Sequence, residues 1–135
     1  MTESPANLCG IFNRVAPSHF KGAVKRSLRA SSYHSENITL QQSYRNNECW
    51  LSPSSKSGFA VTPDHELISV FSCVNGDGRK MMNFIKSKYD HLHLNCFNTT
   101  FLRSFYEKHG FKIIRKEANW QAGGPDILFM EYKKP

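Results

Sequence analysis

In the first part of the chain, apolar positions recur at the spacing of a helix. After Pro17-Ser18, where a proline suits the first turn, Phe20, Val24 and Leu28 fall on one face and Ser31 continues the stripe. Ahead of it, Leu8-Cys9-Gly10-Ile11-Phe12 is a short apolar patch that predicts an edge strand. Residues 31 to 47 are rich in Ser, Asn and Gln and read as loop, with one short helix at most. From Cys49 the period changes. Cys49-Trp50-Leu51 ends at the turn Ser52-Pro53-Ser54-Ser55. Two β-rich runs follow, Ser57 to Thr62 and Leu67 to Val74, separated by Pro63-Asp64-His65-Glu66. That pattern predicts a hairpin. The second run is apolar on both faces, as suits a central, covered strand.

Asn75-Gly76-Asp77-Gly78 then leads into Arg79 to Lys88, where Met81, Met82, Phe84 and Ile85 make a helical stripe. His91 to Cys96 alternates as a strand. Asn98 is placed to cap a helix carrying Phe101, Leu102, Phe105 and Tyr106, and Gly110 stands where the helix end wants a left-handed residue. Phe111 to Ala118 and Ile127 to Tyr132 are two further β-runs, joined through a loop that holds Trp120 and Gly123-Gly124-Pro125. The order from Cys49 is β-β-β-α-β-α-β-β. With no repeat and no linker, residues 1–135 read as one α/β domain, a variable part over 1–48 and a core over 49–132.

Composition narrows the class. The 135 residues suffice for one core, and 39% apolar content with ten Phe, five Tyr and two Trp excludes wholesale disorder. No run of eighteen apolar residues exists, and Met1-Thr2-Glu3-Ser4-Pro5 lacks the features of a secretion signal; the expected compartment is the cytoplasm, with no membrane contact. Cysteines 9, 49, 73 and 96 form no C-x-x-C pair and read as reduced thiols. Eighteen bases against eleven acids leave a net charge of +7. Lys21, Lys25 and Arg29 share one row of the first helix with Arg26 beside it, and no acid occurs between Glu3 and Glu36. Such a row repels itself mildly unless something anionic lies across it. It is either a solvated face or a surface for an anionic partner, such as a phosphorylated cofactor, nucleic acid or an acidic protein.

The turn Gly76-Asp77-Gly78 carries candidate chemistry. Two glycines between strand and helix let the backbone bend tightly and turn its amides outward at the positive end of a helix, which suits a pyrophosphate, and Arg79 and Lys80 add full charges on the first turn. The segment matches neither the P-loop nor the dinucleotide fingerprint. It is also compatible with an ordinary glycine-rich turn.

Leu94-Asn95-Cys96-Phe97-Asn98 followed by Leu102 and by Phe105-Tyr106-Glu107-Lys108-His109-Gly110-Phe111 resembles the signature of the GCN5-related N-acetyltransferase (GNAT) superfamily, with Asn98 eight residues before Tyr106. The resemblance covers about residues 49 to 132. It implies an acyl-CoA N-acyltransferase fold: a mixed, mostly antiparallel central sheet flanked by helices, whose central strands diverge around the pantetheine arm of acetyl-CoA. It places the pyrophosphate on the turn from Asn75 to Lys80 and the cofactor against Ser72, Cys73 and Val74, with a backbone N–H near Ser72 or Cys73 polarising the thioester carbonyl. Asn98 and Cys96 would line the arm. Tyr106 would return a proton to the departing thiolate, a task that suits a phenol protonated near pH 7; it could equally pack beside Phe105. Trp120 either shapes the acceptor pocket or covers the sheet edge.

A base must still take the proton of the attacking amine, and Glu66 and His93 are the candidates. His91, His93 and Cys96 could suggest a metal, but no second ligand pair stands at suitable spacing, and no metal is expected. Two departures from the family pattern matter: Cys73 stands where the phosphate loop usually carries Arg or Gln, and the loop is several residues short. Two functions therefore stay open. One is transfer of an acetyl group from acetyl-CoA to a primary amine by direct attack. The other is a catalytically silent relative that binds nucleic acid or a protein through the basic face. An amine carried on a tRNA or other nucleic acid would need both features. An oligomer is compatible with either.

Overall fold

The computed structural model describes residues 12–30, 39–74 and 76–135, of residue 30 the backbone alone; the patch at 8–11, Ser31 and Asn75 lie outside the described residues. The chain separates into two compact units, Met1–Lys88 and Tyr89–Pro135, each with its own antiparallel sheet.

In the first unit β1 (Asn13–Val15), β2 (Glu48–Leu51), β3 (Ser57–Val61) and β4 (Leu67–Ser72) pair in chain order. Side-chain alternation decides what each face buries. Cys49 and Leu51 of β2 and Ala60 of β3 meet Phe20, Ala23 and Val24 of α1 (Pro17–Ala30) in one cluster with Tyr44 and Phe71, so the stripe read from the sequence is the buried side of α1. The intervening residues point the other way. Trp50 and Phe59 stack 6.3 Å apart, and Phe84 of α2 (Asp77–Lys88) packs on them at 5.1 and 6.2 Å. Met81, Met82, Phe84 and Ile85 are buried as their spacing predicts. Each large apolar side chain so covered contributes about 1.5–3 kcal/mol. The sheet is thereby held between two helices.

The β3–β4 hairpin forms as expected. The His65 N–H donates to the Thr62 carbonyl and the Thr62 N–H to the Glu66 carbonyl, both at 2.9 Å, and His65, at φ 68°, supplies the left-handed residue of the loop. The expectation of a central strand over Leu67 to Val74 is corrected: β4 is the outer strand of its sheet, and the strand buried at every position is β3. Nor is β4 regular. Gly58 pairs with Phe71 and Ala60 with Ile68, so β4 carries one residue more than β3 across that step. Ser69, inside it, is at φ 52°. This bulge returns Ile68 and Phe71, three residues apart, to the same face against α1.

The second unit orders its strands β5-β7-β6, from β5 (His91–Phe97), β6 (Lys112–Glu117) and β7 (Ile127–Lys133). Leu92, Leu94, Leu128, Met130 and Tyr132 are buried, as are Leu102 and Tyr106 of α3 (Thr100–Lys108), which packs on β5. The order from β2 onward is the β-β-β-α-β-α-β-β of the sequence reading. The sixth strand differs from its expected span over Phe111 to Ala118. Phe111 is buried just ahead of β6, and β6 itself is exposed at every position, with a bulge between Ile113 and Arg115. Among the described residues no helix is long and apolar enough to cross a membrane.

Candidate active site

The first part of the site is the connection from β4 into α2. Gly76 is at φ 90°, a conformation that L side chains strain to adopt, which is why a glycine turns the chain here. The Asp77 N–H donates to the Val74 carbonyl at 3.1 Å and the Lys80 N–H to the Gly76 carbonyl at 3.4 Å. The helix therefore starts its own ladder at Lys80, and the N–H groups of Gly78 and Arg79 have no acceptor within it. Arg79 and Lys80 are exposed beside them. The Asp77 carboxylate is turned to the sheet, where Oδ2 accepts from the Ser57 hydroxyl at 2.9 Å; Ser57 Oγ also lies 3.3 Å from Ser72 Oγ. Ser72 in turn donates to the Val74 carbonyl at 3.1 Å. The turn is braced by the Asp77–Ser57–Ser72 side chains and carries Arg79 and Lys80 exposed on the first turn of α2.

The bulge in β4 is the second part, and the sequence reading missed it. Ser69 is buried, and its hydroxyl lies 2.6 Å from the buried Tyr44 hydroxyl and donates to the Thr39 carbonyl. These bonds hold a non-glycine residue in the left-handed region, which costs about 1–2 kcal/mol. Strain of this kind persists only where its surroundings fix it, and bulges concentrate beside active sites. A bulge leaves its extra residue out of the ladder. The Cys73 N–H, by contrast, already donates to the Lys56 carbonyl at 2.9 Å. The amide foreseen near Ser72 or Cys73 is thus engaged at Cys73, and the irregular backbone lies a few residues earlier. Cys73 itself is exposed, its Sγ 3.0 Å from the Ser27 hydroxyl of α1.

In the second unit, local sequence fixes Tyr106 by a helix C-cap. His109 is the C-cap, Gly110 follows at φ 95°, the Gly110 N–H donates to the Glu107 carbonyl and the Phe111 N–H to the Tyr106 carbonyl, both at 3.1 Å. This is the Schellman arrangement, whose usual apolar contact is here Phe111 on Tyr106, ring centroids 5.6 Å apart. Phe105 packs edge-on to the same ring at 5.2 Å. Tyr106 is 6% exposed. Burial, aided by the nearby Cys96 sulfur, pushes its phenol well above the ordinary range, so it keeps its proton. Burial likewise raises the half-buried Cys96 thiol to about 11. The capping role foreseen for Asn98 is corrected. Thr99, in extended conformation, is the N-cap, its Oγ1 accepting from the Leu102 N–H at 3.2 Å. The Asn98 N–H is tied to the Asp126 carbonyl at 2.7 Å and its Oδ1 accepts from Arg103 at 3.4 Å.

Glu66 is half-buried at the start of β4, the opposite end of that strand from the Gly76 turn. His93 faces Glu131 across the β5–β7 ladder. Beside it, His91 Nε2 donates to Glu131 Oε2 at 2.7 Å, and this hydrogen bond holds the Glu131 carboxyl below its ordinary range. Strand alternation puts Cys96 on the face opposite His91 and His93, so the three cannot converge on one ion. Trp120 is 94% exposed and covers no sheet edge, which corrects that reading. Its loop is ordered from within: Asn119 Nδ2 donates to the Pro125 carbonyl and the Gln121 N–H to Asn119 Oδ1, both at 2.9 Å.

No protein-family profile and no curated sequence matches the chain. Solved structures do. A GNAT-family acetyltransferase from Streptococcus pneumoniae aligns with a TM-score of 0.62 at 14% identity, over 92% of this chain and 98% of its own. The ribosomal-protein-S18-alanine N-acetyltransferase from Escherichia coli aligns at 0.58 and 13%, over 90% and 92%. A chimeric spermidine N-acetyltransferase from Vibrio cholerae and hSSAT aligns at 0.59 and 10%, over 90% and 93%. The fold is that of the GNAT acetyltransferases, as the resemblance implied.

Proposed function

We propose that the protein is an N-acetyltransferase that moves the acetyl group of acetyl-CoA to a primary amine by direct attack. The observation that carries this reading is Tyr106: a phenol fixed by a helix C-cap and kept protonated by burial, on a fold shared with acetyltransferases. The amine nitrogen attacks the thioester carbonyl, the carbon–sulfur bond breaks, and Tyr106 gives its proton to the departing thiolate. The strained β4 bulge at Ser69 supplies the out-of-ladder backbone that meets the donor, with Ser72, Cys73 and Val74 beside it. Gly76, Asp77, Gly78, Arg79 and Lys80 receive the pyrophosphate, Asp77 as the brace of the turn, and Asn98 lies along the donor's arm. Glu66 or His93 takes the proton of the amine, directly or through water. Trp120 contacts the acceptor from its braced loop. Free thiols at Cys49, Cys73 and Cys96 suit the reducing cytoplasm. The test is calorimetric titration with acetyl-CoA: saturable binding is expected, weakened by reversing the charges of Arg79 and Lys80, and no heat at millimolar donor would end the reading.

A further inference from the structure

From the surface of α1 we infer that the protein binds the phosphate backbone of a nucleic acid. Phe20, Ala23 and Val24 are spent on the core, and Ser27 is buried with them. The side diametrically opposite carries Ser18, Gly22, Lys25 and Arg29, with Arg26 flanking, and α1 contains no acid over its 14 residues. Lys25, Arg26 and Arg29 are exposed and take part in none of the ion pairs among the described residues. Lys21, at the margin of this face, is anchored by its Nζ on the Gln42 carbonyl.

Three cations on one exposed helix face without a compensating acid repel each other mildly, and an anion lying across them relieves that repulsion. Residues Lys25 and Arg29, one turn apart, stand about 6 Å from each other along the axis. That is the scale of the separation between successive phosphates of one strand. The chemistry of the face selects among anionic partners. It has no apolar side chain, so it lacks the apolar centre around which protein interfaces exclude water. Nor can it insert into a bilayer, because its apolar stripe is already buried. What is left is exposed charge, the means by which proteins hold a phosphate backbone without reading its bases. The inference deepens the acetyltransferase reading by naming the carrier of the amine, a nucleic acid. The binding itself does not rest on that reading.

Fluorescence anisotropy of a labelled single-stranded oligoribonucleotide with the full chain tests it. Binding is expected to weaken as salt rises from about 50 to about 200 mM. The triple variant Lys25→Ala, Arg26→Ala, Arg29→Ala removes three contacts from a helix that alanine favours, and should flatten the log–log salt slope by about 2 and weaken binding at least roughly tenfold. The triple variant Lys112→Ala, Lys116→Ala, Lys133→Ala removes the same charge from the second unit and should leave binding within about twofold. Equal losses in the two triples would reduce the effect to net charge and overturn the inference. So would absence of binding at low salt, or a polyglutamate peptide held as tightly as the RNA. Acetyl-CoA titration of the α1 triple separates the two proposals: unchanged donor binding with lost RNA binding supports both, and lost RNA binding in a chain that never bound donor ends the acetyltransferase reading alone.

Discussion

At Tyr106, one residue carries two burdens that a single substitution can separate. Its ring belongs to the packing of Phe105 and Phe111, and its hydroxyl is the proposed acid. Tyr106→Phe keeps the ring and removes the proton. Turnover is expected to fall about a hundredfold, with a melting temperature within a degree or two of the parent's, as read by steady-state kinetics beside calorimetry. A matched loss of activity and stability would make Tyr106 a packing residue only. The raised phenol pKa has a further consequence: activity should not decline on the alkaline side through ionisation of Tyr106 at the ordinary tyrosine value of about 10, because the folded phenol is still protonated there. The neighbouring Gly110 shows how short-range chemistry aims the ring. It is at φ 95°, and a Cβ at this position would meet the Tyr132 ring at 3.3 Å. Only glycine closes this helix without displacing a partner of Phe111.

Among the elements, β4 departs furthest from regularity, and the departure is held by side chains outside the strand. Ser69 satisfies Tyr44 and Thr39 while sitting at φ 52°. Ser69→Ala loses the hydrogen bonds and keeps the strained backbone; Ser69→Gly loses the same bonds and relieves it. The alanine variant should therefore be less stable than the glycine variant by about 1 kcal/mol, with both below the parent, in urea denaturation. If alanine is the more stable of the two, the left-handed conformation at Ser69 carries no strain and the bulge is an incidental kink. The α3 helix makes the opposite point: its two ends are closed by Thr99 and by the Gly110 motif within its own sequence, so it presents Tyr106 largely by local chemistry.

For the molecule as a whole, buried thiols set a pH limit. Burial raises Cys49 and Cys96 from the ordinary 9.0 to about 11. Between these values the unfolded chain releases thiol protons that the folded chain retains, so the unfolded state binds fewer protons and stability falls as pH rises. The contribution is intact below pH 9.0 and is lost progressively up to about pH 11. Denaturation midpoints measured across this window should decline, and more shallowly in Cys96→Ala. An unchanged slope in that variant would show that Cys96 ionises alike in both states.

The sequence by itself determined the order of strands and helices from β2 onward, the buried stripes of α1 and α2, the hairpin and the glycines at 76 and 110. Those features depend on propensity, periodicity and capping, which act within a turn or two of chain. Tertiary structure decided that β4 is an outer strand with a bulge at Ser69, that Asp77 leans on Ser57, and that Trp120 stands in solvent. Each of these is set by strand register or by contact between residues distant in the chain, and no local pattern encodes it. The helix cap shows the limit of local pattern: Asn98 and Thr99 are both good caps, and in the fold Thr99 takes the role while the Asn98 N–H bonds to the Asp126 carbonyl, far along the chain.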